Sequence, residues 1–159
     1  IFVHSEPGRG AEFFFTIAVS VDPEAVKIGL QKLNRIDYDF DNKRILVLGT
    51  EPDECLLLHE IFKTSKAVLN CKNISKKSYD DNLQKSYEAV IYDLKSLELE
   101  EDGYLKEIVD SGLPVIIQSA IPASEHDETF MNQIDSYLVK PFEPEEMLRA
   151  VYEVFNKNR

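Results

Sequence analysis

Arg44-Ile45-Leu46-Val47-Leu48 runs without a break into Gly49-Thr50-Glu51. The aliphatic continuity, bounded by turn residues, predicts a strand covered on both faces, as in a parallel sheet. A helix signal follows over 52–63, with Cys55, Leu56, Ile61 and Phe62 as apolar anchors. The alternation then repeats. Strands are predicted over 67–71, 89–92, 114–118 and 136–139, the third ending at Asp93 and the fifth followed by Lys140-Pro141. Helices are predicted over 78–85, 104–110, 124–133 and 144–155. Met147, Leu148, Val151 and Phe155 lie on the buried side of the last helix. Five strands alternating with helices predict an α/β, flavodoxin-like (βα)5 fold, a doubly wound parallel sheet of order 2-1-3-4-5.

Upstream, residues 1–21 read as a β-hairpin appendage. Ile1-Phe2-Val3-His4-Ser5 and Glu12 through Val19 are strands, and Glu6-Pro7-Gly8-Arg9-Gly10 is the turn. Phe13, Phe15 and Ile17 share one face by period two. A lone hairpin is marginal in water, so these rings need a partner surface. Asp22 and Pro23 then start a helix, and Asp37-Tyr38-Asp39-Phe40-Asp41-Asn42 reads as an acidic linker. The reading is therefore hairpin 1–21, linker 22–42 and an α/β domain over 43–159. Because the chain begins at Ile1, inside a strand, it is expected to be a piece of a longer protein.

Composition excludes several classes. The chain has 159 residues, 43% hydrophobic and 30% charged, which is ordinary for a globular protein. No apolar run reaches the roughly 20 residues of a membrane span, so no membrane insertion is expected. A net charge of -11 opposes nucleic-acid phosphates, so no nucleic-acid partner is expected. Cys55 and Cys71 make no disulfide framework; they are expected as free thiols in a reducing, cytoplasmic compartment. His4, His59 and His126 are scattered, and no zinc site is expected.

Sites in open parallel sheets form at the carboxyl ends of the strands. Asp93, Ser119, Lys140 and the Gly49-Thr50-Glu51 turn all fall there. A carboxylate, a hydroxyl and an ammonium in one crevice can carry a phosphoryl group: the carboxylate as nucleophile, the other two binding its oxygens. No cofactor-binding glycine loop follows the first strand, which argues against an unrelated flavodoxin-like enzyme.

These stretches, above all Tyr137-Leu138-Val139-Lys140-Pro141-Phe142, resemble a response-regulator receiver domain. The resemblance implies that Asp93 is the phosphoacceptor and that Ser119 and Lys140 contact the phosphoryl group. It also implies that Tyr137 is the switch aromatic and that the Lys140–Pro141 peptide is cis. Ser5 through Phe13, with Gly8 and Gly10, resembles the last glycine box of a histidine-kinase ATPase domain, a remnant of its ATP lid. Kinase tail, linker and receiver in this order resemble the end of a hybrid sensor histidine kinase. The parent would use ATP and Mg²⁺ and could be membrane-anchored. This fragment lacks the ATP site and the phosphorylated histidine.

One departure bears on mechanism. Receivers carry an acidic pair after the first strand to hold Mg²⁺, and here Gly49 and Thr50 stand at those positions. Mg²⁺ binding is therefore expected to be weak or absent, since the ion relies on carboxylates. Glu51 and Lys95 are auxiliary candidates: Glu51 as a replacement ligand, Lys95 as a cation pairing with Asp93 or supplying part of the metal's charge. Two readings stay open. One is a pseudo-receiver that docks or regulates; the other is a phosphoacceptor served by histidine. The expected partners are the parent's dimerisation and ATPase domains and a histidine phosphotransfer protein. A homodimer could form through the hairpin or through the face of the fourth helix, fifth strand and fifth helix, with Phe142 and Tyr152.

Overall fold

A computed structural model describes residues 2–6, 8–16, 38–72, 83–95 and 103–157. The chain divides into two units, 1–36 and 37–159. The first contains an antiparallel hairpin, β1 (Phe2–Glu6) and β2 (Gly10–Phe14), with Phe2 opposite Phe14 and Glu6 opposite Gly10. Gly8 and Gly10 sit at its turn, and Phe13, Phe14 and Phe15 are exposed. The helix expected from Asp22 lies outside the described residues.

The second unit carries five parallel strands: β3 (Arg44–Leu48), β4 (Val68–Lys72), β5 (Ala89–Leu94), β6 (Val115–Ser119) and β7 (Ser136–Val139). Their spatial order is β4-β3-β5-β6-β7, which is 2-1-3-4-5 counted within the unit. The helices are α1 (Pro52–Phe62), α2 (Leu83–Ser86), α3 (Gly103–Asp110), α4 (Glu128–Met131) and α5 (Pro144–Lys157). The expected 124–133 helix is a 3₁₀ turn, Ala123–Glu125, followed by α4, whose start is capped by the Asp127 carboxylate. Gly112 ends α3 with φ 74°.

The alternation in β3 explains the two layers. Ile45 and Val47 join Leu58 and Phe62 of α1 and Met147, Val151 and Val154 of α5 in one core. Leu46 and Leu48 join Leu105 and Ile108 of α3 and Phe130 of α4 in the other. Both faces are thereby covered, which accounts for the unbroken aliphatic run.

Three expectations change. Residues 38–42 are not a linker: Tyr38 and Phe40 are buried in the α1–α5 core. Their period-two alternation turns the aromatic rings inward, while Asp39 faces out to an ion pair with Lys66. Leu56 is an exposed residue of α1, because the helix turns Leu58 and Phe62, four apart, toward the sheet. The cysteines are not free: Cys55 of α1 and Cys71 of β4 form a disulfide with Cα atoms 6.3 Å apart. In a βαβ unit the first turn of the crossover helix and the carboxyl end of the next strand lie at the same end of the sheet. That proximity pairs cysteines 16 residues apart in sequence. The pair thus offers no ground for inferring a reducing compartment.

Candidate functional site

The carboxyl ends of β3, β5, β6 and β7 meet at a buried anion. Asp93, near the end of β5, is 3% exposed. Its Oδ1 accepts a hydrogen bond from Lys140 Nζ at 2.9 Å. Lys140 follows β7, and its backbone N–H donates to the Ser119 carbonyl at 2.7 Å, which ties that turn to the end of β6. The Lys140–Pro141 peptide is cis.

Lys140 Nζ also donates to Glu54 Oε1 at 2.9 Å. One ammonium thus bridges two carboxylates. Burial raises the Asp93 pKa, the Lys140 hydrogen bond opposes that rise, and the facing Glu54 carboxylate adds to it. Glu54 itself is lowered, chiefly by its Lys140 hydrogen bond. Asp93 Oδ2 is buried and has no hydrogen-bond donor among the described residues.

The other candidates take separate partners. Ser119 Oγ donates to the Leu94 carbonyl at 2.6 Å and accepts from Ile121 N–H at 3.1 Å, so its hydroxyl is turned to the backbone. Tyr137 donates to the Ile121 carbonyl at 2.7 Å, and His126 Nε2 lies 2.7 Å from the same hydroxyl. His126 stacks on Phe130 with ring centroids 5.0 Å apart. Glu51 pairs with Lys95, whose pKa this contact raises; Lys95 is therefore not hydrogen-bonded to Asp93 but adds a positive field near it. The acidic loop beyond Lys95, residues 96–102, lies outside the described residues.

Gly49 and Thr50 are both buried. Gly49 has φ 77°, a conformation that L side chains rarely adopt, so an aspartate there would be strained. Thr50 Oγ1 lies 3.5 Å from Gln118 Nε2. The donor set does not suit Mg²⁺. Positions 49 and 50 supply no carboxylate, and the two acids that do gather, Asp93 and Glu54, are already bonded to Lys140.

Sequence reasoning missed Glu54, Gln118 and His126 as site residues. Glu54 had a signal: with Pro52 opening α1, it falls in the first helical turn beside the strand ends. Gln118 is a polar residue inside an aliphatic strand, 1% exposed, and its Oε1 has no partner among the described residues. An unpaired buried carbonyl carries a desolvation cost. Gln118→Met combined with Thr50→Val, which removes both members of the buried pair, should therefore raise the unfolding free energy by about 1 kcal/mol. Urea denaturation with an unchanged slope would register it as a shifted midpoint.

No family model matches the sequence, and the comparison with curated proteins gives no significant match. Solved structures do match. A response regulator receiver domain protein from Clostridium thermocellum aligns at 19% identity and TM-score 0.60, over 73% of this chain and 96% of that one. The receiver domain of a Francisella response regulator aligns at 20% identity and TM-score 0.56, over 74% and 100%. The Vibrio cholerae chemotaxis protein CheY4 aligns at 13% identity and TM-score 0.58, over 70% and 98%. With strand order, layers and these likenesses together, the second unit has the flavodoxin-like fold of response-regulator receiver domains.

Proposed function

We propose that the second unit is the receiver module of a hybrid sensor histidine kinase in a His-Asp phosphorelay. In this reading it serves as a docking or regulatory pseudo-receiver in which phosphorylation of Asp93 is weak or absent. The observation that carries this is the Lys140 bridge between Asp93 and Glu54, with no acid at positions 49 and 50. Phosphoryl transfer needs charge neutralisation at the transferred oxygens, and a metal ion is the usual source. Among the described residues, the one ammonium hydrogen-bonded to Asp93 also serves Glu54.

A groove of about 370 Å³ opens beside the bridge, lined by Glu54, Leu57, Ile61, Lys140, Pro141 and Phe142. Leu57 is exposed along it. A docking module needs such an apolar strip, and helices of the parent kinase are the occupant this reading assigns. The hairpin's resemblance to a kinase ATP lid supplies the parent.

The alternative is a working phosphoacceptor. The placing of Asp93, Ser119 and Lys140 at the strand ends favours it, as a carboxylate nucleophile with a hydroxyl and an ammonium beside it. Acetyl phosphate with Mg²⁺ separates the two readings. The pseudo-receiver reading expects at most a trace of aspartyl phosphate by intact mass. Stoichiometric phosphate that Asp93→Asn abolishes would establish the alternative.

A further inference from the structure

We propose that Cys55, His59 and Cys71 form a redox-gated site for a borderline divalent transition metal, zinc in the first instance. The disulfide is its closed state and the dithiol its metal-binding state. Cys55 and His59 stand four residues apart on α1, so their side chains share one face. Cys71 reaches the same point from β4. Both sulfurs and a ring nitrogen of His59 lie within 4.8 Å of one another. Local spacing in the sequence gives no sign of this set, because one ligand comes from the neighbouring strand.

The chemistry of the set is selective. Two thiolates and an imidazole suit zinc, while the hard cation Mg²⁺ prefers oxygen. Three protein ligands leave a fourth position for water, the arrangement of an open zinc site. Zinc–sulfur bonds of about 2.3 Å in a tetrahedron place the sulfurs about 3.8 Å apart. Cα atoms 6.3 Å apart accommodate that separation once the sulfurs are no longer bonded to each other. His59 is exposed and both cysteines are half-buried, so reductant and metal have access. Asp53 and Glu54 beside Cys55, and the net charge of -11, favour a cation.

The steps balance. A cellular dithiol gives two electrons and two protons to the disulfide, leaving two cysteine thiols and an oxidised dithiol. Zn²⁺ then replaces the two thiol protons, which leave to solvent. A disulfide oxidant such as a low-molecular-weight disulfide then takes two electrons from the two thiolates: the Cys55–Cys71 bond forms again, the oxidant leaves as two thiols with two protons from solvent, and Zn²⁺ is released.

The test titrates Co²⁺ into the 159-residue chain without oxygen, after reduction by a phosphine that is then removed. Water supplies the oxygen that the phosphine gains and the protons that the thiols gain. One equivalent of Co²⁺ with near-ultraviolet thiolate charge-transfer absorption is expected, displaced by Zn²⁺. The oxidised chain should show no such absorption. His59→Gln, an exposed change that the helix tolerates, should weaken binding roughly tenfold or more. No charge-transfer band in the reduced chain would overturn the proposal, as would equal binding by the oxidised chain or an unchanged affinity in His59→Gln.

Discussion

Lys140→Met should lower the unfolding free energy by about 3 kcal/mol at neutral pH, the scale expected when one partner of a buried ion pair is removed. Asp93 is 3% exposed, and Lys140 is the donor that reaches its Oδ1. Without the ammonium, two carboxylates face each other. Protonation of Asp93 relieves this, so the sign with pH follows. Its pKa is already raised in the fold, and losing Lys140 raises it further. Between the unfolded and folded values the native state holds more protons, so stability falls as pH rises through that window. The deficit of Lys140→Met should therefore shrink on acidification and grow toward neutrality. Asp93→Asn alone should do the opposite at neutral pH, raising stability by about 1 kcal/mol, because the desolvated anion goes and Lys140 keeps Glu54. Urea midpoints across acidic and neutral buffers check both. Equal losses at all pH values would show that Asp93 is not the group left uncompensated.

Reduction of the disulfide should cost about 3 kcal/mol, the chain-entropy value for a loop of this size. In a unit of this length that is a fall of roughly 10 °C in Tm. The crosslink fastens the first turn of α1 to the edge strand β4. The calorimetric scan is run with a chelator present, so that metal binding does not offset the loss. An unchanged Tm on complete reduction would mean that packing alone holds α1 to β4.

The sheet was legible because its signal is local. Ile45 through Leu48 and Val115 through Ile117 are aliphatic on successive positions, and only a strand buried on both faces accommodates that. Asp93, Ser119 and Lys140 were legible as residues ending such strands. The rest depended on contacts that no spacing encodes. Glu54 enters the site by reaching across to Lys140, 86 residues away. Cys71 meets Cys55 through the packing of a helix on a strand. Tyr38 and Phe40 looked like linker because alternating aspartates dominate the local composition, yet the core selects the rings between them. Tyr137 was identified, but its hydrogen-bonding neighbour His126 was not, since a turn and a short helix bring them together.

The most direct test is a Mg²⁺ titration by heteronuclear NMR, with and without beryllofluoride, which mimics a phosphoryl group on aspartate. If Lys140 holds Asp93 and Glu54 as described, amide shifts at Asp93, Thr50 and Ser119 stay unchanged at millimolar Mg²⁺ and after beryllofluoride is added. Shifts that cluster at those three residues and grow with beryllofluoride would contradict the account and make this a live phosphoacceptor.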